Sequence, residues 1–203
     1  KFPSLVSYQT TKIAAAATHW AHRMVTNGVP LADFQDVTNK LYSWENWCKA
    51  WMKRGEIHAL MGEGAFSAGQ LISASEHFRT AAVCFHFGKF LFVHNLSQMK
   101  EAHNLTISNY NKALPIMDPP GERVEIPFEG RALYGNLRKP NGIENPPIVI
   151  MCMGLDSTKE EMYTYETPFL MRGMATLAFD GPGQGEAEFE MPIRFDYEVP
   201  VDA

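Results

Sequence analysis

Two short loops combine residue types that could do chemistry. One is Gly154-Leu155-Asp156-Ser157-Thr158, which follows the apolar run Ile148–Met153, and the other is Asp180–Glu186, which follows Met174–Phe179. Each loop is expected at the carboxyl end of a strand, the edge of an open α/β sheet at which ligands bind. Backbone N–H groups freed where a helix begins can stabilise an anion there. The first loop is therefore a candidate functional loop, with an ordinary capped turn as the alternative.

The second loop superficially resembles a nucleotide-binding loop. A dinucleotide fingerprint requires Gly-x-Gly-x-x-Gly, whereas the third glycine of Gly181-Pro182-Gly183-Gln184-Gly185 comes one residue early, and Glu186 would repel phosphates. The pattern instead favours a tight, glycine-shaped loop beside an active site or a sheet edge.

The seven histidines do not form a metal-binding pattern. His19 and His22 are three residues apart without a third ligand, and no His-Glu-x-x-His is present. We therefore expect no metal and no cofactor. His86, between Phe85 and Phe87, could face a substrate pocket or be a hydrogen-bonded core histidine. The tryptophans Trp44, Trp47 and Trp51 are expected in a core.

The composition indicates a globular protein that binds neither nucleic acid nor membranes. Of 203 residues, 45% are hydrophobic and 20% are charged, and the net charge of −5 offers no basic field for nucleic acid or an anionic membrane surface. No apolar run is long enough to span a bilayer and the first residues lack a signal-peptide pattern, so we expect a cytoplasmic protein. Cys48, Cys84 and Cys152 are expected to be buried free thiols.

Residues from about Thr10 to Leu114 are expected to be helical, because apolar residues recur there at steps of three and four. The predicted helices cover Tyr8–Val25, Asp36–Met61 and Ala68–Phe92, followed by one that Asn95 or Ser97 can cap. Four helices with short breaks between them, one at His94–Ser97, suggest a small bundle or helical hairpins.

The composition changes at Leu114-Pro115 and Pro119-Pro120-Gly121, where prolines end helical patterns. We place a domain boundary there, between a helical region 1–116 and an α/β region 117–203. Arg123–Phe128 and Arg131–Leu137, parted by Glu129-Gly130, predict an antiparallel hairpin.

The continuously apolar run Ile148–Met153 predicts a strand buried on both faces. Ser157 or Thr158 can cap a helix that ends near Arg172-Gly173, and Met174–Phe179 predicts the next strand. This is a β-α-β crossover, so the two strands are expected to be parallel. The hairpin and crossover together are the beginning of a mixed, mostly parallel α/β sheet that is incomplete in this chain.

Three segments carry a resemblance to a known group of proteins. Gly154–Glu161, Arg172–Thr176 and Phe179–Glu186 resemble consecutive signatures of the α/β-hydrolase group that contains 2,6-dihydroxypseudooxynicotine hydrolase, FrsA-like esterases and polyketide-shortening fungal hydrolases. The helical stretch Ser73–Phe92 is similar to the N-terminal helical region of that group. The resemblance thus implies an N-terminal helical cap region followed by the first strands of an α/β-hydrolase sheet.

The resemblance also implies a reaction. A serine, activated by a histidine and oriented by an acid, attacks a carbonyl carbon and cleaves an ester or a carbon–carbon bond of a small aromatic or acyl substrate. One oxyanion-hole donor of the group maps onto the backbone N–H of Leu155, which follows Gly154. His86, Asp156 and Tyr163 are the candidate substrate-binding residues.

The nucleophile is missing, because no Gly-x-Ser-x-Gly occurs in the 203 residues. We therefore expect the serine, the acid and the histidine to lie beyond this chain, and the chain alone to be inactive. The implied partners are a small-molecule substrate and the remaining C-terminal half of the hydrolase domain, with a homodimer as a further candidate. The alternatives are a non-catalytic hydrolase-like scaffold and a helical protein-interaction module, although no second repeat appears at a tetratricopeptide period.

Overall fold

The computed structural model describes residues 5–90 and 95–203, and their contacts form two compact units that divide between Tyr110 and Asn111. The helices are α1 (Leu5–Thr26), α2 (Leu31–Thr38), α3 (Trp47–Ser67), α4 (Leu71–Lys89), α5 (Leu96–Ala113), α6 (Tyr163–Leu170) and α7 (Glu198–Val201). The strands are β1 (Gly121–Phe128), β2 (Arg131–Arg138), β3 (Ile148–Cys152) and β4 (Ala175–Asp180). None of the described helices combines the length and apolarity needed to cross a bilayer. The boundary expected near residue 116 stays a prediction.

The first unit contains the predicted helices, with one correction. Asp36–Met61 is not one helix, because α2 ends at Thr38 and α3 begins at Trp47. The hydroxyl of Thr38 donates to the Phe34 carbonyl oxygen, and Ser43 caps a short 3₁₀ turn that leads into α3. Polar side chains that bond to the nearby backbone compete with helix continuation, and this competition breaks the predicted helix in two. The described part of this region therefore has five helices where four were expected.

An aromatic core joins α3 to its neighbours. Trp47 and Trp51 are fully buried, and the Trp47 indole N–H donates to the Phe87 carbonyl oxygen of α4 at 2.7 Å. A buried indole needs such an acceptor. The expectation of a core position is confirmed for Trp47 and Trp51, whereas Trp44 is partly buried and packs against the same cluster.

The predicted cap of α5 is also confirmed, and the helix has a buried stripe. The Asn95 side chain accepts a hydrogen bond from the Gln98 backbone N–H at 3.0 Å. Four residues at helical spacing are buried along the helix, namely Met99, Ala102, Thr106 and Tyr110. Phe92 and His94, named in the sequence prediction, lie outside the described residues.

The second unit contains a four-stranded sheet in the order β1-β2-β4-β3. β1 and β2 form the predicted antiparallel hairpin, and its turn is Glu129-Gly130, both residues having positive φ. Two such residues define the turn whose twist matches that of a hairpin. β2 pairs antiparallel with β4, and β4 pairs parallel with β3, as the crossover predicted. The second unit thus contains the expected beginning of a mixed sheet.

The prediction that Ile148–Met153 is buried on both faces is wrong. β3 is an edge strand, paired with β4 on one side, and Ile148 and Ile150 are each about half exposed, at 51% and 50%. Cys152 is also exposed, so only Cys48 and Cys84 fulfil the expectation of buried free thiols. An apolar sequence shows that a strand suits a buried position, but burial itself requires a neighbouring element.

The crossover between β3 and β4 is more broken than predicted. Thr158 caps a 3₁₀ helix, Lys159–Glu161, and α6 follows as a separate eight-residue helix. The segment ends at Gly173, whose φ is +78°, with the Met174 N–H bonded to the Phe169 carbonyl oxygen at 3.0 Å. A glycine in this left-handed conformation is a common helix ending. The crossover therefore delivers the Gly154–Thr158 loop and the Asp180–Glu186 loop to the same edge of the parallel pair.

Candidate functional site

The side chain of Gln184 joins the two loops at the carboxyl ends of β3 and β4. Its Nε2 donates to the carbonyl oxygens of Met153 and Gly154, at 2.8 Å each. Its Oε1 accepts hydrogen bonds from the Gly181 N–H at 3.2 Å and from the Tyr197 hydroxyl. A buried amide with all these partners satisfied is held in one orientation, so the Gly154 loop is fixed to the loop after β4.

Asp180, the last residue of β4, makes a second connection. Its carboxylate accepts from the Lys159 backbone N–H and from Lys159 Nζ, both at 2.8 Å, and from the Glu186 N–H at 3.0 Å. Asp180 and Lys159 are each at most 1% exposed. A buried carboxylate is stable in such a place only because its oxygens are occupied by donors and a cation.

Lys159 is the centre of a buried charge cluster. Its Nζ lies 2.8 Å from Asp180, 2.7 Å from Glu160 and 2.9 Å from Glu186. Burial alone would lower the pKa of Lys159, but the attraction of the three carboxylates outweighs burial and raises it. Lys159 is therefore a permanent cation and a structural one, with its three donors used inside the protein.

The pKa values of two carboxylates around Lys159 are shifted in opposite directions. Burial is the largest effect on Glu160 and, with Asp180 nearby, raises its pKa to about 7 despite the Lys159 charge. Burial would also raise the pKa of Glu186, but Lys159 and the hydrogen-bonded Arg123 lower it. Glu160 is consequently the group of this cluster that gains a proton as the pH falls toward neutrality.

Two glycines of the second loop are required by close approach of other atoms. Gly183 has φ +77°, and a Cβ there would lie 2.6 Å from the backbone N and Cα of Ile193. Gly185 has φ +40°, and a Cβ there would collide with the Asp180 carboxylate. The prediction of a tight, glycine-shaped loop is confirmed in this sense, because only glycine allows the loop to pack against Asp180.

The predicted oxyanion loop is open to solvent at its tip. Gly154, Leu155 and Asp156 are all exposed, Leu155 at 71%, while Thr158 is buried. The Gly154 carbonyl oxygen, which Gln184 binds, also accepts from the Ser157 N–H at 3.2 Å, closing a turn. The structure thus brings three predicted site residues together on one exposed, anchored turn.

The other predicted site residues lie elsewhere. Tyr163, at the start of α6, has its ring 5.2 Å from the guanidinium of Arg138, which is buried and paired with Glu166. His86 is buried in α4 of the first unit, with its ring 5.1 Å from the ring of Phe87. Roles in substrate binding for His86, Asp156 and Tyr163 remain predictions.

Sequence reasoning missed the residues that hold the site together. Gln184, Asp180, Lys159 and Tyr197 were not named as functional, although the first two belong to a loop that was. One sequence feature could have indicated Gln184: it is a polar residue between two glycines, in the loop directly after a buried strand. Its partners at Met153 and Gly154 are some thirty positions earlier in the chain, so spacing alone could not reveal them.

A comparison with protein families identifies the chain. The family model described as esterase FrsA-like matches residues 32–191, which is most of the sequence and includes both loops. The chain belongs to the FrsA-like esterase family. The match therefore covers the helices from α2 to α6 together with the beginning of the sheet.

Individual relatives agree with this family. The chain is 35% identical over 176 residues to the 2,6-dihydropseudooxynicotine hydrolase of Paenarthrobacter nicotinovorans, covering 87% of this chain and 47% of the relative. It is 28% identical over 205 residues to the alpha/beta hydrolase gkaG of Penicillium citrinum, covering 96% of this chain and 46% of that protein. The chain thus spans about half the length of the curated relatives it matches.

Solved structures agree as well. The crystal structure of the 2,6-dihydroxy-pseudo-oxynicotine hydrolase matches with a TM-score of 0.80 at 34% identity, over 90% of this chain and 51% of that one. A structure titled AbyA5 matches with a TM-score of 0.57 at 20% identity, over 87% of this chain and 49% of that one, which is a likeness of fold alone. The resemblance to the α/β-hydrolase group and the expected fold class are confirmed.

Proposed function

We propose that this chain is the N-terminal part of a serine-dependent α/β-hydrolase that cleaves an ester or a carbon–carbon bond of a small aromatic or acyl substrate. In this proposal the Leu155 N–H donates a hydrogen bond to the oxyanion formed when a serine attacks the substrate carbonyl. The serine, its histidine and its acid come from the part of the protein beyond these 203 residues, so the chain alone does not catalyse.

The observation that carries the proposal is the turn at Gly154-Leu155. It follows the carboxyl end of β3, its tip is exposed, and its base is anchored through Gln184. Donors that are fixed before the reaction stabilise developing charge at little reorganisation cost. An anchored turn with an exposed residue at its tip, at the carboxyl end of a strand, supports an oxyanion site in a member of this family.

The open side of β3 supports the proposal that the remaining half of the domain completes the sheet. Ile148 and Ile150 are half exposed, and within the described residues β3 is paired with β4 alone. An apolar edge strand of this kind presents unpaired backbone N–H and C=O groups to which another strand can bind. The proposed occupant is a strand of the C-terminal half, with a second copy of this chain as the alternative.

The proposal is tested on the whole protein that contains this chain. The purified protein is incubated with a fluorophosphonate probe, which reacts with activated serines, and then with a 4-nitrophenyl ester of a short acid. The labelled peptide is located by mass spectrometry, and intact mass reports whether a second chain or a second copy is present. Heat-unfolded protein, in which no serine is activated, is the control.

The expected result is one labelled serine outside residues 1–203, with ester hydrolysis that the probe abolishes. A folded protein that neither takes the probe nor hydrolyses the ester would overturn the proposal in favour of a non-catalytic scaffold. Labelling of a serine within the 203 residues would contradict the assignment of the nucleophile.

A further inference from the structure

We infer that Gln184 is a positioning residue of the oxyanion hole, which sets the direction of the Leu155 N–H through the peptide bond between Gly154 and Leu155. This inference rests on the proposed function. It assigns a role in the reaction to a side chain that lies on the Asp180–Glu186 loop and touches no reacting atom.

The planarity of the peptide unit couples the Gly154 carbonyl to the Leu155 N–H. The Gly154 carbonyl and the Leu155 N–H belong to one rigid plane and, in a trans peptide, point in opposite directions. Gln184 Nε2 binds that carbonyl oxygen at 2.8 Å. Whatever fixes the carbonyl therefore fixes the N–H, and rotation of this peptide would turn the donor away from an oxyanion.

The Gln184 amide is itself fixed in the orientation that this role needs. Nε2 has two hydrogens, and Met153 and Gly154 each accept one of them. Oε1 faces two donors, the Gly181 N–H and the Tyr197 hydroxyl. The opposite amide orientation would place Oε1 against two carbonyl oxygens, so the surroundings permit only one.

Burial makes these contacts effective. Gln184 is 3% exposed, whereas Leu155, at the tip of the turn that Gln184 anchors, is 71% exposed. Burial raises the pKa of Tyr197 to about 12, so its hydroxyl stays protonated and remains a donor. An exposed tip can move freely unless its base is held, and the side chain of Gln184 holds the Gly154 carbonyl together with the Ser157 backbone N–H.

Two substitutions of Gln184 distinguish a positioning role from a contribution to stability alone. In Gln184→Met the side chain keeps its length but loses the hydrogen bonds to Met153 and Gly154, together with those from Gly181 and Tyr197. In Gln184→Glu an ionised carboxylate faces two carbonyl oxygens, but a protonated one can donate a single hydrogen bond to one of them. The activity of Gln184→Glu relative to wild type should thus rise as the pH is lowered, and that of Gln184→Met should not.

The matched control is Asn109→Leu in the first unit. Asn109 is also a buried amide that donates to a backbone carbonyl, that of Leu105 at 2.8 Å. Asn109→Leu removes one hydrogen bond of a buried amide but leaves the turn at Gly154-Leu155 untouched.

The experiment measures kcat and KM for the 4-nitrophenyl ester, and the dissociation constant of a phenylboronic acid, which forms a tetrahedral adduct on the active serine. In the whole protein, Gln184→Met should lower kcat by about 100-fold and weaken boronate binding in proportion, while KM changes by less than about threefold. Asn109→Leu should leave all three quantities within about twofold of wild type.

Several results would overturn the inference while leaving the proposed function intact. These are wild-type kcat in folded Gln184→Met, a loss of activity that lies in KM alone, or unchanged boronate binding. If Gln184→Met does not fold, the test is the pH profile of Gln184→Glu, and a constant ratio to wild type would overturn the inference. A wild-type protein without hydrolysis or probe labelling would instead defeat the proposed function itself.

Discussion

Asp180 accepts two hydrogen bonds from a single residue, Lys159, one from the backbone N–H and one from the side-chain ammonium, both at 2.8 Å. The two residues lie 21 positions apart, one at the end of β4 and the other at the start of the crossover. This pair fixes the beginning of the crossover to the strand end, and Gln184 fixes the turn just before it. Both loops are thereby tied to the same edge of the sheet.

Replacing Lys159 with Met should strongly destabilise the protein. The substitution leaves three carboxylates, those of Asp180, Glu160 and Glu186, without their shared cation. Removal of one partner of a buried ion pair costs about 3–5 kcal/mol of unfolding free energy. Urea unfolding of the whole protein measures the loss. The matched control, Arg194→Met, removes an arginine paired with the exposed Glu129 and should have a much smaller effect.

Glu160 should make stability fall as the pH rises. Its pKa is raised from 4.5 to about 7 in the folded protein, so the folded state holds a proton that the unfolded state has released. The stabilisation is complete below about pH 4.5 and is lost as the pH rises through about 7. Glu160→Gln should flatten this decline, so its stability relative to wild type should increase toward alkaline pH.

The measurement is the urea midpoint of wild type and Glu160→Gln at several pH values across that window. The difference between the two proteins isolates Glu160 from Glu186, whose pKa is shifted the other way. Glu122→Gln, on an exposed position of β1, is the control and should follow wild type. Parallel pH curves for wild type and Glu160→Gln would contradict the prediction.

Gly183→Ala should be destabilising, and Gly154→Ala should not. A Cβ added at Gly183 would lie 2.6 Å from the Ile193 backbone in a left-handed conformation. Strain of this kind costs about 1–3 kcal/mol. At Gly154 the nearest atom to an added Cβ is Ser157 Oγ at 3.9 Å, an ordinary contact. Thermal unfolding of the two variants distinguishes them, and equal losses would show that the packing around Gly183 relaxes.

A bulky residue at Gly154 should affect catalysis more than stability. Under the proposed function, Gly154→Val obstructs the approach of an oxyanion to the Leu155 N–H, and loss of one such donor costs about 10²–10³ in kcat. Because Gly154 is exposed, the unfolding free energy should stay close to that of wild type. Wild-type turnover in a stable Gly154→Val protein would remove this loop as the oxyanion site.

The uncovered face of β3 gives a test of the completed sheet. In the whole protein, Ile150→Asp should cost about 1.5–3 kcal/mol of unfolding free energy if the rest of the domain covers this face of the sheet and buries the side chain. Ile72→Asp, at a position of α4 that is 75% exposed, is the matched control and should cost little. Similar small costs at both positions would mean that this face of β3 remains uncovered.

The local structure was largely predictable from the sequence. Glu129-Gly130 specified the hairpin, Asn95 specified the start of α5, and the turn signals around the apolar runs specified two parallel strands with a crossover. Each of these features depends on a few neighbouring residues, whose backbone preferences and periodicity are written in the sequence itself. The identity of the family followed from the same local segments.

The tertiary structure decided which side chains are buried and which charged side chains form pairs. The run Ile148–Met153 is apolar enough for a central strand, yet β3 is an edge strand because no described element covers its other side. Likewise, nothing in the spacing shows that Lys159 meets Asp180, or that Arg123 meets Glu186 at a separation of 63 residues. Pairing energies depend on distance in space and on exclusion of water, and both are properties of the folded chain.

The functional loop shows the same division most clearly. The sequence alone determined that a glycine-containing loop follows β3 and that a second loop with three glycines follows β4. Only the tertiary structure decided that Gln184 of the second loop binds the Gly154 carbonyl of the first. The physical reason is that a hydrogen bond between loops requires the parallel pairing of β3 and β4 to bring the two strand ends together.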